Sequence, residues 1–157
     1  MDSIIFAKLA SVSAAFVCAG YSFSFSQSTL PLIYNTPASI STKVFSGVFY
    51  SGAAVVAPGA IISSTAYGYL AYQQPHRRQL YITAAVLILA PLVWTRVVMN
   101  AGIQRLLEIS QSAAKQQTAD QSGEVVKLLK QWTMQNWMRA GLSFSAGMVG
   151  LWAQNAA

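Results

Sequence analysis

Charged residues are scarce in this sequence. Only 9% of its 157 residues are charged, and just four of them are acidic, whereas soluble globular domains contain roughly 25% charged residues. No charged residue occurs from 9 to 42 or from 44 to 75, and 54% of the chain is hydrophobic. These features exclude an ordinary soluble domain and predict an integral membrane protein.

Residues that bind metals or act as nucleophiles are also rare. The chain has one cysteine, Cys18, and one histidine, His76, which excludes an internal disulfide and a cysteine-based metal cluster within the chain. Glycine-rich phosphate loops and the GxSxG and HExxH motifs are absent. We therefore expect no metal site and no flavin, haem or other prosthetic group. The single cysteine leaves the redox compartment open.

The basic residues give the chain a net charge of +6. They are scattered and do not alternate with aromatic residues along a polar face, which argues against nucleic-acid binding. We expect those near the ends of the apolar segments to contact lipid headgroups instead. These residues are Lys8, Lys43, Lys127 and Lys130.

Four apolar segments are long enough to cross a bilayer, which requires about 20 mostly apolar residues. They cover about 5–25, 44–72, 79–99 and 133–153. We expect an all-α fold, an integral membrane four-helix bundle that forms a single domain over 1–157, with helices 3 and 4 extended beyond the bilayer. The short connection at 73–79 makes segments two and three antiparallel, and both termini then share one side.

The connections between these segments are polar or contain proline. Pro31 and Pro37 predict a loop over 28–43 that folds over one mouth of the bundle. The polar stretch 111–123 predicts a linker, after which a helix restarts. The first segment has an alternative interpretation as a cleaved signal peptide, since residues 17–19 fit a cleavage site. The basic residues do not decide the membrane orientation.

Small residues recur four apart in the last segment, a pattern that lets helix backbones approach closely in lipid. The pairs are Gly141 with Ser145, Ser143 with Gly147, and Ala146 with Gly150. They predict close packing of this helix within the bundle.

Two polar residues stand near the start of the last apolar segment. Asn136 and Arg139 are three apart, so they share a helix face, and Trp132 lies one turn earlier on that face. A charge within the hydrocarbon costs roughly 3 kcal/mol or more unless it finds a partner or a wet cavity, which makes Arg139 a functional candidate. The alternative is that Arg139 extends to the headgroups.

A similar polar pair, Arg96 and Asn100, lies at the end of the third segment. If segments three and four are antiparallel, this pair converges with Asn136 and Arg139 in a cationic, hydrogen-bonding pocket. Such a pocket suits a planar anion such as a phenolate or enolate, which arginine binds with parallel donors. His76 occupies a turn at the opposite membrane face, so we do not expect it to share this site.

Three motifs are spread over nearly the whole chain. They are G-Y-S-F-S-F-S-Q-S-x-L-P at 20–31, A-P-L-V-W-T at 90–95 followed by I-Q-R-L-L-E at 103–108, and W-x-x-x-N-x-x-R at 132–139. On these motifs the chain resembles the anthrone oxygenase-like family of small four-helix membrane proteins. Family members often have an asparagine in a P-T-N step just before the L-L pair. Here that position is Ile103, and the nearest asparagine is Asn100.

The resemblance implies a multi-pass membrane enzyme of aromatic polyketide biosynthesis, with the endoplasmic reticulum as a candidate membrane. It implies that a hydrophobic aromatic anthrone is oxidised to an anthraquinone by molecular oxygen as co-substrate, without a prosthetic group. The expected catalytic residues are Arg139 and Asn136, which would bind the oxygen of the substrate anion. The expected substrate-binding residues are Trp132, Asn100 and Arg96. The alternative is a non-catalytic scaffold or lipid-binding partner of a biosynthetic assembly. The oligomeric state is left open.

Overall fold

A computed structural model describes residues 3–155, and every regular element among them is helical. The helices are α1 (Ser3–Ser24), α2 (Ala38–Gln73), α3 (Arg78–Trp94), α4 (Asn100–Ser110), α5 (Ala113–Ser122) and α6 (Glu124–Asn155). Two π-helical segments, Phe25–Thr29 and Thr95–Met99, follow α1 and α3. A helical turn, Leu30–Leu32, and a 3-10 turn, Pro75–Arg77, complete the described elements. The predicted all-α class is confirmed.

Four long helices form the bundle, in the order α1, α2, α3 and α6 around its axis. At one end, Ser3 shares a hydrogen bond of 2.9 Å with Tyr69 near the end of α2. At the same end, the Arg77 guanidinium donates to the carbonyl of Ala153 at 2.7 Å. The two ends of the described chain therefore lie beside the Pro75–Arg77 turn, and neighbouring long helices are antiparallel.

Three helical stretches are long and apolar enough to cross a membrane: Ser3–Leu32, Ala38–Gln73 and Pro75–Ser110. The last helix, α6, is not among them, because Asn136 and Arg139 lie in its centre and its first turns are polar. It packs along both α1 and α3. The chain is thus a membrane-like helical bundle, and a fourth crossing by α6 stays a prediction.

The long helices exceed the thickness of a hydrocarbon core. With 36 residues, α2 is about 54 Å long at 1.5 Å per residue, against a hydrocarbon core of about 30 Å. At the end opposite the termini, α4, α5 and the first turns of α6 form a cap. Arg105 on α4 joins Glu124 on α6 at 2.8 Å. Asp120 on α5 accepts a hydrogen bond of 2.7 Å from the backbone N–H of Ala38 at the start of α2.

Two connections differ from the sequence-based expectation. The loop predicted over 28–43 is shorter, because the first helical stretch continues through Leu32 and α2 begins at Ala38. The stretch predicted as a linker, 111–123, is mostly the helix α5. Its first turn is capped by the Ser112 side chain, which accepts from the Lys115 N–H at 3.5 Å. Gly123 ends it with a left-handed φ of 68°, a conformation that glycine adopts without strain.

Buried apolar side chains form two separate clusters along the bundle. The cap cluster includes Leu30, Phe45, Val48, Ile103, Leu106, Leu129 and Trp132. The turn cluster includes Cys18, Val56, Ala60, Tyr67, Tyr81, Ile88 and Ala146. The first helix contributes to the turn cluster, so it is an integral part of the bundle.

The small residues of α6 allow close approach at two of the three predicted pairs. A Cβ added to Gly147 would lie 2.8 Å from the Phe16 ring, and one added to Gly150 would lie 2.6 Å from the Tyr67 ring. Gly141 is exposed, and a Cβ there would meet nothing within 4 Å. The spacing of small residues therefore predicted close helix packing correctly at Gly147 and Gly150, and it did not do so at Gly141, which faces outward.

Candidate functional site

A cavity of about 280 Å³ lies where the two apolar clusters meet. Val48, Ile103 and Trp132 of the cap cluster and Val56 of the turn cluster line it. Aromatic side chains contribute much of the remaining wall, namely Tyr21, Phe25 and Phe49. The polar side chains that line it include Arg96, Asn100, Asn136 and Arg139. All five predicted site residues therefore line one cavity.

Both π-helical segments border this cavity. Phe25 of the first segment and Thr95 of the second are among its lining residues. Each segment lies near a proline, which has no N–H for the helical hydrogen-bond ladder. Pro31 follows the first segment, and Pro91 precedes the second. Thr95 also donates its hydroxyl to the Pro91 carbonyl at 2.7 Å. Such π-helical turns occur frequently at functional sites because they displace side chains from the regular helical register.

Asn136 is almost completely buried, with 1% of its surface exposed. Its amide nitrogen donates to the Ser22 carbonyl at 2.8 Å and to the Ser26 hydroxyl at 2.9 Å. Its amide oxygen accepts from Arg139 Nη1 at 3.0 Å. Both amide hydrogens are therefore already donated within the protein. The expectation that Asn136 donates to a substrate oxygen does not match this network, in which Asn136 instead ties α6 to α1 and holds the guanidinium.

Arg139 is half-buried on α6, one turn beyond Asn136. Its Nε atom is buried and has no hydrogen-bond partner among the described residues. The carboxylates of the described chain, on Glu108, Asp120 and Glu124, all lie in the cap and contact other groups. Arg139 therefore has no carboxylate partner within 3–155. Partial burial of a guanidinium without a counter-charge has a cost, which a bound anion would offset.

Trp132 is 5% exposed and lines the cavity two helical turns before Arg139. The edge-to-face contact with Phe45, at 5.4 Å between ring centroids, fixes its ring. The indole Nε1 is buried and has no hydrogen-bond partner in the described part of the chain. Trp132 therefore contributes a flat apolar wall to the cavity, and its indole N–H is a buried donor without a partner in the described part of the chain.

Arg96 and Asn100 occupy the other side of the cavity, on the π-helical segment and at the start of α4. The Arg96 side chain is exposed and Asn100 is half-buried. Neither side chain has a hydrogen bond or ion pair to another described residue. Both polar pairs, Arg96 with Asn100 and Asn136 with Arg139, therefore line the same cavity. Within 3–155, no three His, Cys, Asp or Glu side chains are close enough to hold a metal ion.

A family model described as "Anthrone oxygenase" matches residues 45–149, about two thirds of the 157-residue chain. The chain belongs to the anthrone oxygenase family. No curated protein and no solved structure matches it. Family membership supports a related oxygenase role and agrees with the resemblance drawn from the motifs.

In this anthrone oxygenase family member, the five predicted site residues all fall within the matched range. Ser22 and Ser26, which hold Asn136, precede that range and were missed by the sequence analysis. They are four residues apart, so they share a helix face. Ser24 and Ser28 have the same spacing, so the spacing alone would not have singled out Ser22 and Ser26. His76 lies exposed in the Pro75–Arg77 turn, at the opposite end of the bundle from the cavity, as its position in the sequence predicts.

Proposed function

We propose that this member of the anthrone oxygenase family is a multi-pass membrane enzyme that oxidises an anthrone-type polyketide to an anthraquinone. Molecular oxygen is the co-substrate, and we assign no prosthetic group to the reaction. The observation that carries the proposal is a guanidinium, Arg139, that lines a largely apolar cavity without a carboxylate partner among the described residues. A filled bundle without such a cavity would have favoured the scaffold alternative.

The cavity chemistry fits the anion of a flat aromatic ketone. An anthrone loses a proton from the carbon opposite its carbonyl, and the resulting anion carries its charge mainly on the carbonyl oxygen. Arg139 offers Nε and the remaining guanidinium N–H groups to that oxygen, while Asn136 holds Nη1. Aromatic walls from Tyr21 and Trp132 can stack on the fused rings. In this assignment Arg139 is the catalytic residue, and Asn136 is a positioning residue.

The size of the electrostatic effect is sufficient to matter. Two opposite unit charges about 4 Å apart attract by about 4 kcal/mol at an effective dielectric constant of about 20. That energy corresponds to lowering the pKa of the bound anthrone by roughly 3 units. Arg139 would thus raise the acid dissociation constant of the bound substrate by about 1,000-fold. No side chain is assigned as the base.

The oxidation balances without any further reductant. The anthrone anion transfers one electron to O2, and the resulting radical and superoxide combine to form a carbon–oxygen bond at the reactive carbon. Protonation gives a hydroperoxide at that carbon. Loss of the remaining hydrogen from the carbon, with cleavage of the O–O bond, releases water and leaves the second carbonyl. One anthrone and one O2 therefore give one anthraquinone and one water.

Trp132 supplies a second donor on the same helix face. Residues seven apart on a helix are separated by about 10 Å along its axis, so Trp132 and Arg139 can contact different parts of one three-ring substrate. We assign the Arg139 guanidinium to the carbonyl oxygen and the Trp132 N–H to the oxygen that adds at the reactive carbon. A donor placed where negative charge develops stabilises the transition state.

The test is the oxidation of 1,8-dihydroxyanthrone by membranes that contain the protein. The rate is measured as oxygen uptake and as quinone absorbance, and the rate of spontaneous oxidation is subtracted. Arg139→Lys keeps the charge but loses the planar fork, so we expect a loss of roughly 100-fold to 1,000-fold in rate. Trp132→Phe removes the N–H donor together with one ring of the wall and should lose less. Arg78→Lys, the same change at an exposed residue far from the cavity, is the matched control.

Two results would contradict the proposal. Correctly inserted Arg139→Lys protein that oxidises the anthrone at the parental rate would remove Arg139 from the reaction. A metal or chromophore present in stoichiometric amount, whose removal abolishes activity, would overturn the assignment of no prosthetic group. The parental protein should retain its rate in the presence of a chelator.

A further inference from the structure

The cavity is closed at both ends along the bundle axis. On the cap side, Ile103 and Leu106 are fully or almost fully buried in the cap cluster. On the termini side, Tyr67 and Ile88 are fully buried in the turn cluster. A fused-ring molecule cannot pass along the axis without separating one of these clusters. Any access route must therefore run sideways, between helices.

Three lining residues are exposed on the outer surface of the bundle: Ala53, Arg96 and Gln104. Ala53 is on α2, Arg96 is on the second π-helical segment, and Gln104 is on α4. These residues mark a gap between α2 and the helix that runs from Arg78 to Ser110. On α2 the edge of this gap is made of small residues, because Gly52 and Ala57 also line the cavity.

Helix lengths place the gap near one surface of a bilayer whose other surface lies at the Pro75–Arg77 turn. If the bilayer begins near Gln73, where α2 meets the turn, a hydrocarbon core of about 30 Å ends about 20 residues earlier, at Ala53. Counting from Arg78 along α3, about 18 residues reach Arg96, a rise of about 27 Å. With the bilayer placed in this way, the gap opens where the acyl chains meet the headgroups.

We propose that Ala53, Arg96 and Gln104 frame a side opening through which a flat aromatic substrate enters and leaves the cavity from the lipid phase. A phenolic fused-ring ketone concentrates at the lipid–water boundary, because its rings are apolar and its oxygens are polar. Arg96, which has no partner in the described chain, would attract its acidic oxygens at the opening. Arg139 then binds the anion inside. The proposal takes the identity of the ligand from the proposed function.

Ala53 is the residue that tests the opening. Ala53→Trp should obstruct the opening without changing the polar groups inside. The association and dissociation rates of 1,8-dihydroxyanthraquinone should therefore both fall by about tenfold or more, while its Kd changes little. This non-reacting ligand is measured by quenching of tryptophan fluorescence in vesicles. Ala54→Trp is the matched control, because Ala54 is exposed on the same helix but does not line the cavity.

A labelling experiment gives a second readout that needs no turnover. In Ala53→Cys protein, saturating 1,8-dihydroxyanthraquinone should slow modification by a membrane-soluble maleimide, whereas Ala54→Cys should react at the same rate with and without it. The parental protein is the blank, since Cys18 is fully buried. Attachment of the label at Ala53→Cys should also slow ligand exchange.

The outcomes separate the two proposals. Parental exchange rates in Ala53→Trp, together with unprotected labelling of Ala53→Cys, would overturn the side opening even if anthrone oxidation is confirmed. Slowed exchange in a protein that binds the quinone but does not oxidise the anthrone would support the opening and contradict the proposed oxidation. A parental protein that binds no quinone would contradict both.

Discussion

Replacing Asn136 with aspartate gives the sharpest test of what Arg139 does. The two side chains have nearly the same shape, but the aspartate places a negative charge where the amide oxygen now accepts from Arg139 Nη1 at 3.0 Å. A carboxylate beside a guanidinium stays ionised. The variant therefore supplies Arg139 with an internal counter-charge. A substrate anion would then meet a neutral Asp–Arg pair instead of an unpaired guanidinium cation.

The magnitude follows from the same distance. An opposite charge within about 4 Å offsets about 4 kcal/mol of attraction at an effective dielectric constant of about 20. Binding of an anionic ligand by Asn136→Asp should therefore weaken by roughly 1,000-fold. Asn136→Ala keeps the free charge and should bind the anion more tightly than Asn136→Asp. However, it leaves the Ser22 carbonyl and Arg139 Nη1 without their partner, at about 1 to 3 kcal/mol per buried group.

The two variants should thus differ most in anion binding. Asn136→Asp should bind less anion than Asn136→Ala, although both variants lose the N–H donors to Ser22 and Ser26. The assay is titration with 1,8-dihydroxyanthraquinone above the pH at which its first hydroxyl ionises, beside thermal unfolding in detergent. Parental affinity in Asn136→Asp would show that Arg139 does not bind the anion.

Two further predictions concern the bundle and its cap. Gly150→Ala should lower the unfolding temperature, because the new Cβ would lie 2.6 Å from the fully buried Tyr67 ring and overpacking costs about 1 to 3 kcal/mol. Gly141→Ala is the control: its new Cβ would meet nothing within 4 Å, so the higher helix propensity of alanine should raise the unfolding temperature slightly. Equal effects of the two substitutions would refute the packing argument. Hydrogen bonds from Arg105 lower the pKa of Glu124, so this pair stabilises the cap above the ordinary glutamate pKa, and the contribution is lost as pH falls through the lower folded value. The small loss of thermal stability in Glu124→Gln at neutral pH should therefore vanish in acid, and a loss that persists there would contradict this account.

The sequence predicted the helices more reliably than their ends. Long uncharged runs dictate helices in a membrane, since every backbone polar group must be satisfied within the segment. The ends depend on local chemistry that hydropathy does not register. The predicted linker 111–123 is mostly helical, because the Ser112 side chain caps the start of α5 and the left-handed Gly123 ends it. The helix before Pro31 continues through a π-helical segment. Both differences lie where a few hydrogen bonds, and not apolar burial, set the structure.

The sequence predicted which polar residues line the cavity but not their hydrogen-bond partners. Polar side chains are costly in an apolar helix, so Asn136 and Arg139 could be singled out without a structure. Which donors are free depends on contacts more than 100 positions away in the sequence, since the partners of Asn136 are Ser22 and Ser26. Only the folded bundle shows that the asparagine amide is occupied and that the Arg139 Nε and the Trp132 N–H are not.

The division of the apolar core into two clusters accounts for the site as a whole. A single continuous core would bury more apolar surface, at about 25 cal/mol per Å², and would leave no cavity between the helices. Here the prolines and π-helical segments of two helices interrupt regular packing at one level, and Asn136 crosses from α6 to α1 at that same level. Packing is interrupted where Arg139 lacks a counter-charge among the described residues. A structural arginine would be better served by a carboxylate partner or full exposure to headgroups, so the arrangement supports the proposed anionic ligand.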